Sequence, residues 1–237
     1  MKSRKIIHYG AGLILGFALI AALLITSFEI AMYADFDVYR QEYEKYDVLS
    51  DLNMTMDDAM DVTRQMMAYL RGEGDALSVI TTVDGREQDF FNEQDRFHMG
   101  EVRDLFIGGL NIRTGALVIA VLCIFLLILT KADLKKAIPA GYQAALAVTA
   151  AALLFLGIAC AVDFNAVFVK FHHIFFDNDL WIFDPAEDYM IRMLPEGLFF
   201  DFVVRIGCIF AGLLAVLLVL SFIPRIMKKK EISTTYN

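Results

Sequence analysis

Residues 6–28 read IIHYGAGLILGFALIAALLITSF, an apolar run that is interrupted only by His8 and by small or hydroxyl residues. A helix needs about 20 apolar residues to cross about 30 Å of hydrocarbon, and this run contains 23. Similar runs lie at 112–129, 140–162 and 203–223. Backbone polar groups in lipid must be satisfied within their own segment, so each run is expected to form a helix. The sequence therefore predicts an all-α membrane protein built on a four-transmembrane-helix bundle.

The composition supports a membrane protein and excludes several other classes. Hydrophobic residues make up 58% of the chain, whereas soluble domains contain about 45–50%. The first run is too long for a signal peptide, whose apolar core has about 7–15 residues, so we expect an uncleaved anchor. The three cysteines lie inside predicted spans and are expected to be apolar packing residues. The sequence has no nucleotide-binding glycine loop, no Cys-x-x-Cys pair and no basic aromatic patch for nucleic acid.

Charged residues divide the connecting segments into two groups. The short segments 1–5, 130–139 and 224–237 are rich in Lys and Arg and contain only two acidic residues. The segments 29–111 and 163–202 contain 19 and 8 acidic residues, which is 27 of the 29 in the chain. Short loops rich in Lys and Arg stay in the cytoplasm. We therefore expect both termini in the cytoplasm, the two acidic segments outside, and the whole chain as a single membrane domain.

The longer outer segment is predicted to be mostly helical. Thr55 begins a capping box, and Gly72 ends the methionine-rich helix that follows it. The methionine stripe of that helix is expected either to pack against protein or to contact acyl chains. Asp84-Gly85 is typical of a tight hairpin turn. A further helix is expected to begin near Asn92 and to continue into the second span.

The shorter outer segment is rich in aromatic residues and contains Trp181, the only tryptophan. Its acidic residues, together with Pro185 and Pro195, interrupt it too often for a transmembrane helix. Aromatic side chains favour the headgroup level of a bilayer. The segment is therefore predicted to be interfacial or re-entrant.

Three of the four histidines lie in the outer segments: His98, His172 and His173. Because the last two are adjacent, their side chains point in different directions, so only one of them is expected to share a site with His98. Three interpretations remain open at this point. The histidines are hydrogen-bonded interfacial residues, they bind a metal with a carboxylate, or they are acid–base catalysts, since the pKa of histidine is close to neutrality.

Two sequence segments carry a family pattern, and the order of the spans and the loop lengths agree with it. The matching positions are His98, Met99, Val102, Arg103, Phe171, His172, Phe175, Phe176, Trp181, Leu194, Pro195, Phe199 and Phe200. In these residues, and over nearly the whole chain, the protein resembles the lipoprotein intramolecular transacylase family of bacterial membrane proteins.

The resemblance implies an acyltransferase of the cell membrane. Its members would move the sn-2 acyl chain of a diacylglyceryl-modified lipoprotein to the α-amino group of the N-terminal cysteine, which gives a lyso-form lipoprotein. The partners would then be diacylated lipoproteins and membrane lipid, with no nucleic acid. No cofactor and no metal are expected, because the ester already supplies an activated acyl group.

Within that family pattern, His98 is the expected general base for the amine. His172 is the expected second histidine, which orients the substrate or passes the proton to the leaving oxygen. Glu101 is expected to orient His98. Supporting roles are also expected for three further residues: Arg103 and Arg192 as candidate oxyanion donors, and Trp181.

A different class of function is the alternative to an enzyme. The chain would then be a non-enzymatic membrane protein, such as a transporter subunit or an assembly factor. Ionisable residues are nearly absent from the middle of the predicted spans, whereas transport pathways usually contain them. The sequence therefore favours the enzyme, with an active site that faces the outer leaflet.

Overall fold

The computed structural model describes the backbone of residues 2–235 and the side chains of residues 4–223. Within that range the elements, in chain order, are α1 (Lys2–Tyr33), α2 (Asp37–Lys45), α3 (Val48–Leu52), α4 (Met56–Leu70), β1 (Ile80–Val83), β2 (Arg86–Asp89), α5 (Glu93–Leu129), α6 (Leu134–Val162), α7 (Phe164–Phe175), α8 (Tyr189–Met193) and α9 (Glu196–Thr235). The predicted all-α membrane fold is confirmed. The basic side chains of residues 2 and 224–237, on which part of the charge argument depends, lie outside the described side chains.

Four of the described helices, α1, α5, α6 and α9, are long and apolar enough to cross a membrane. They contain the four apolar runs, and each helix begins before the first residue of its run. Helix α5 begins at Glu93, one residue after the expected start near Asn92. Helix α6 begins at Leu134, before its apolar run, because the backbone keeps its helical hydrogen bonds beyond that run. Large apolar side chains remain on the surface of these helices, and Phe155 is 76% exposed. Exposed apolar surface of this kind is typical of contact with lipid.

The described residues form two compact units. Residues within 1–28, 111–158 and 207–237 form the first unit, and residues within 29–110 and 159–206 form the second unit. The single membrane domain expected for the whole chain stays a prediction.

Small residues allow the helices of the first unit to pack closely. A Cβ atom on Gly141 of α6 would collide with the backbone of Gly12 of α1, so glycine is required at this approach. The hydroxyl of Tyr142 donates a hydrogen bond to the carbonyl oxygen of Leu214 at 2.7 Å, which joins α6 to α9. Ala145 on the next turn of α6 is fully buried. These contacts connect three of the long helices.

The second unit contains the largest cluster of buried apolar residues among the described side chains, and α4 lies within it. The hydroxyl of Thr55 accepts a hydrogen bond from the backbone N–H of Asp58 at 3.2 Å, which is the predicted helix cap. The methionine-rich stripe of α4 is buried, and Met60 and Met67 are 0% and 1% exposed. Of the two expectations for this stripe, the structure therefore favours packing against protein.

The two strands of the second unit form the expected hairpin. Asp84 and Gly85 connect them with φ values of 50° and 72°. Positive φ at both central positions gives the tight turn that matches the twist of the strands. After the hairpin, Phe90 and Phe91 are buried in the same apolar cluster, directly before α5 begins. The start of α5 is thereby held against the core of the second unit.

Candidate active site

His98 lies in the second turn of α5, on a buried face of the helix. Its side chain is 6% exposed. The rings of Phe176 and Phe183 approach it edge-on, with centroids 4.9 Å and 5.4 Å from the imidazole centroid. Met99, the next residue, belongs to the apolar cluster of the second unit. His98 is therefore a buried polar side chain with aromatic surroundings.

His172 lies in the last turn of α7 and is held by two contacts. Its Nδ1 atom lies 2.7 Å from the carbonyl oxygen of Phe168, one turn earlier. A carbonyl oxygen only accepts hydrogen bonds, so Nδ1 carries the proton and Nε2 of the neutral ring has a free lone pair. The ring of Trp181 stacks on the imidazole with centroids 4.6 Å apart and 30° between the planes. The free nitrogen of His172 is therefore Nε2.

Burial sets the charge state of His172. Desolvation lowers the pKa of its imidazole below the ordinary value of 6.5, the hydrogen bond to Phe168 opposes that shift, and nearby His173 adds to it. His172 is therefore neutral near pH 7. A neutral imidazole can accept a proton, which is the property required of a general base.

The fold brings His98 and His172 together. Their ring centroids lie 5.9 Å apart with 26° between the planes, and both side chains are more than nine-tenths buried. The ring of Phe176 contacts both imidazoles. Two imidazoles at this separation, each neutral or positively charged, can exchange protons with one small substrate group placed between or beside them.

The segment between α7 and α8, residues 176–188, covers the histidine pair, and we call it the connecting segment. It contributes Phe176, Trp181 and Phe183, which contact the imidazoles. Gln94 of α5 donates hydrogen bonds to two carbonyl oxygens of this segment, those of Leu180 at 3.1 Å and Ile182 at 3.0 Å. The connecting segment is thereby fastened to the helix that carries His98.

Glu101 lies one turn after His98, as its spacing predicted. Its Oε2 atom is 3.9 Å from Nδ1 of His98, which is longer than a hydrogen bond. Its Oε1 atom accepts a hydrogen bond from the amide of Asn178 at 2.8 Å. The carboxylate is thus placed beside the imidazole and is fixed from its other side.

The two candidate oxyanion donors have other contacts. The guanidinium of Arg103 lies over the ring of Tyr69, 4.8 Å from its centroid. Arg192 donates hydrogen bonds to the carboxylates of Asp51 at 2.8 Å and Asp84 at 3.3 Å, which ties α8 to α3 and to the hairpin turn. These contacts give Arg192 a structural use and count against its predicted role as an oxyanion donor.

Trp181 and His173 differ in their relation to the pair. Trp181 covers His172, and its buried Nε1 atom has no hydrogen-bond partner in the described structure. The exposed His173 contacts only the edge of Trp181 among the described rings, with centroids 5.2 Å apart. The structure therefore brings the predicted histidine, and not its neighbour, to His98.

Three contact residues of the site were not identified from the sequence. Phe168 precedes His172 by four positions, so helical spacing could have indicated its carbonyl as a partner. Phe183 and Asn178 belong to an irregular segment, where no periodicity predicts what a side chain contacts. Within the described side chains, no three His, Cys, Asp or Glu residues are grouped closely enough to hold a metal ion.

Comparisons with known proteins agree on one family. The family of the lipoprotein intramolecular transacylase Lit matches residues 13–200, which is more than three quarters of the chain. No curated protein sequence matches the chain significantly.

Among solved structures, the membrane-integral lipoprotein intramolecular transacylase Lit of Bacillus cereus has a TM-score of 0.75 and 21% identity, and the alignment covers 95% of this chain and 98% of that one. A variant of it with a histidine replaced by arginine has a TM-score of 0.72 and 22% identity, and the alignment covers 95% of this chain and 94% of the variant. A histidine-to-alanine variant has a TM-score of 0.69 and 20% identity, and the alignment covers 95% of this chain and 96% of the variant. At these identities the likeness establishes a shared fold.

The family match confirms the resemblance found in the sequence. It also confirms the prediction of an enzyme over the non-enzymatic alternative. This chain belongs to the lipoprotein intramolecular transacylase family, whose members are membrane acyltransferases.

Proposed function

We propose that this enzyme moves the sn-2 acyl chain of a diacylglyceryl-modified lipoprotein to the α-amino group of its N-terminal cysteine. The amine nitrogen attacks the ester carbonyl carbon, the new N–C bond forms, and the bond from that carbon to the glyceryl oxygen breaks. One proton moves from the amine to the glyceryl oxygen, so the products are an amide and an alcohol. The observation that carries the proposal is the buried pair of His98 and His172 in a chain of this family.

The first half of the reaction needs a base. An amine attacks only through its free lone pair, and the nitrogen must lose a proton as the N–C bond forms. His98 serves as this base, and a positioned histidine contributes about 10²- to 10⁴-fold to a rate. The imidazolium formed in this step then holds the proton that the leaving oxygen needs.

The second histidine completes the proton transfer. The Nδ1 proton of His172 is engaged with Phe168, so its Nε2 accepts hydrogen bonds in the resting enzyme. Nε2 of His172 therefore orients an N–H of the attacking amine, and it can donate to the leaving oxygen only after the proton held by His98 has been passed to it. This tautomer of His172 supports a reaction in which one proton leaves the amine and is returned to the glyceryl oxygen.

Positioning supplies much of the remaining rate. Amine and ester belong to one substrate molecule, so the enzyme has to fold that molecule into an attack geometry. Such positioning is worth about 7–11 kcal/mol of the barrier. The unpaired N–H of Trp181 lies beside His172 and is a donor available to the developing oxyanion. The aromatic side chains of the connecting segment exclude water, whose attack would hydrolyse the ester.

The same proposal includes the orientation in the membrane. Both termini lie in the cytoplasm, residues 29–111 and 163–202 lie outside, and the active site faces the outer leaflet. The acidic residues support this orientation, because 27 of 29 lie in those two segments. The substrate is anchored by acyl chains, so a site at the level of the outer leaflet meets the ester without extracting the lipid.

The proposal is tested in a bacterial strain whose lipoproteins are diacylated and have a free N-terminal amine. Wild-type enzyme, His98→Ala, His172→Ala and the matched control His173→Ala are expressed to equal levels. The mass of the N-terminal lipopeptide and its fragmentation show where each acyl chain is attached, and Edman degradation shows whether the amine is free. We expect a blocked amine and an unchanged acyl count with wild type and His173→Ala.

Two results would overturn different parts of the proposal. If wild-type enzyme leaves the amine free, the transfer reaction is wrong. If His98→Ala and His172→Ala both block the amine as fully as wild type does, the reaction stands and the assignment of the histidines is wrong.

A further inference from the structure

The side chain of Asn178, in the connecting segment, is engaged at both ends. Its Nδ2 donates to Oε1 of Glu101 at 2.8 Å, and its Oδ1 accepts from the backbone N–H of Leu180 at 2.9 Å. The second bond fixes which end of the amide is oxygen, so the nitrogen faces the carboxylate. Among the described ion pairs, Glu101 is the one acidic side chain within 4 Å of His98. Asn178 therefore joins the connecting segment to that side chain.

The other oxygen of that carboxylate is left free. Oε2 of Glu101 and Nδ1 of His98 are both buried, and neither has a hydrogen-bond partner in the described structure. They lie 3.9 Å apart. Buried polar atoms usually have partners, so two unpartnered atoms this close to each other form a contact that a small rotation would close.

We infer that Asn178 is a positioning residue for the transfer reaction, which it serves by holding Glu101 beside Nδ1 of His98. This inference rests on the proposed function. When His98 gains the proton of the amine, its ring becomes positive, and Nδ1–H then donates to Oε2 of Glu101. The carboxylate stabilises the imidazolium at the moment it forms, and Asn178 keeps the carboxylate from turning away.

Gln94 provides a matched comparison. It also fastens the connecting segment to α5, through the carbonyl oxygens of Leu180 and Ile182, but it does so without contacting Glu101. A residue that only fastens the segment would affect the reaction whether or not Glu101 is charged. A residue that acts through the carboxylate would lose its effect once the carboxylate is removed.

The experiment measures kcat and KM for conversion of a purified diacylated lipopeptide in detergent. The variants are Asn178→Ser, Glu101→Gln, the double variant, and Gln94→Ala alone and combined with Glu101→Gln. Serine keeps an oxygen that can accept from the backbone N–H of Leu180 and is too short to reach Glu101. Asn178→Ala serves as a second variant, and the thermal midpoint of each protein reports its folding.

We expect Asn178→Ser to lower kcat roughly tenfold, the size of one hydrogen bond to a charged group, with KM unchanged. In the Glu101→Gln background the same substitution should have no further effect, whereas Gln94→Ala should have equal effects in both backgrounds. Additive effects of Asn178→Ser and Glu101→Gln would overturn the inference and leave the transfer reaction standing. A wild-type enzyme that forms no N-acyl product would overturn both.

Discussion

The imidazole rings of His98 and His172 lie 5.9 Å apart, with 26° between their planes, although they belong to α5 and α7. Neither ring makes a hydrogen bond to the other in the described structure. The hydrogen bond from Nδ1 of His172 to Phe168 leaves Nε2 as the reactive nitrogen of that residue. Each ring is therefore available to a substrate group. In His172, Nδ1 holds the ring in place and Nε2 faces the chemistry.

The different roles of the two nitrogens lead to a prediction for His172→Asn. The amide nitrogen of asparagine takes the place of Nδ1 and can keep the bond to Phe168, but it leaves nothing at Nε2. We expect His172→Asn to fold with a thermal midpoint near that of wild type and to lose activity by about 10²- to 10⁴-fold. Lipopeptide turnover and thermal unfolding in detergent measure the two properties. Activity of His172→Asn within a few fold of wild type would exclude a role for Nε2.

The pH dependence of stability follows from the lowered pKa of His172. The folded ring has its pKa below 6.5, so the unfolded chain takes up the proton first as the pH falls through about 6.5. This residue therefore contributes a loss of stability that begins below about pH 6.5 and none above it. Thermal midpoints measured from pH 7.5 to 5 should fall less for His172→Asn than for wild type. If the thermal midpoints of the two proteins fell by equal amounts over this pH range, His172 would not be the source of the loss of stability.

The only tryptophan in the chain reports on the same titration. Trp181 stacks on His172, and a protonated imidazole quenches indole fluorescence by electron transfer. We expect the emission of wild type to decrease only well below pH 6.5, because burial lowers the pKa of His172 in the folded protein below that ordinary value, and the emission of His172→Asn to change much less. His173→Ala is the control, because His173 also contacts the indole edge. A decrease that disappears only in His173→Ala would assign the quenching to that neighbour.

Arg192 is predicted to matter for stability rather than for turnover. Its guanidinium joins Asp51 and Asp84 with only 18% of its side chain exposed, whereas the two aspartate side chains are 57% and 42% exposed. We expect Arg192→Ala to cost about 1 kcal/mol of unfolding free energy, since solvent screens such pairs, with kcat unchanged. Arg40→Ala, which removes a pair with the 94% exposed Asp57, should cost less. A large loss of kcat at unchanged stability would restore the predicted oxyanion role.

Gly197 is predicted to be intolerant of a side chain. A Cβ atom there would overlap the ring of Tyr46. That ring cannot move away without breaking the hydrogen bond from its hydroxyl to Asp201, which is 2.6 Å long. We expect Gly197→Ala to destabilise the protein by about 1–3 kcal/mol, measured as a lower thermal midpoint. Gly108→Ala is the control, because a Cβ atom there meets nothing within 4 Å, and equal midpoints for the two variants would contradict the overlap.

Much of the fold could be predicted from the sequence because its causes are local. The apolar runs within α1, α5, α6 and α9 follow from composition alone, since lipid requires about 20 apolar residues in a helix. The cap at Thr55 and the turn at Asp84-Gly85 likewise depend on residues no more than three positions apart. The start of α5 near Asn92 could also be predicted, whereas α6 begins before its apolar run because helical hydrogen bonding does not stop where the apolar run begins.

The candidate site could be predicted only in part from such local causes. The sequence by itself determined that the chain is a helical membrane protein, and its family pattern indicated His98 and His172. Only the tertiary structure decided that these two rings meet, that Arg192 contacts Asp51 and Asp84, and that Asn178 holds Glu101. The physical reason is range: capping, turns and hydrophobic length act between near neighbours in the chain, whereas each of these contacts joins residues from separate elements and depends on how the whole second unit packs.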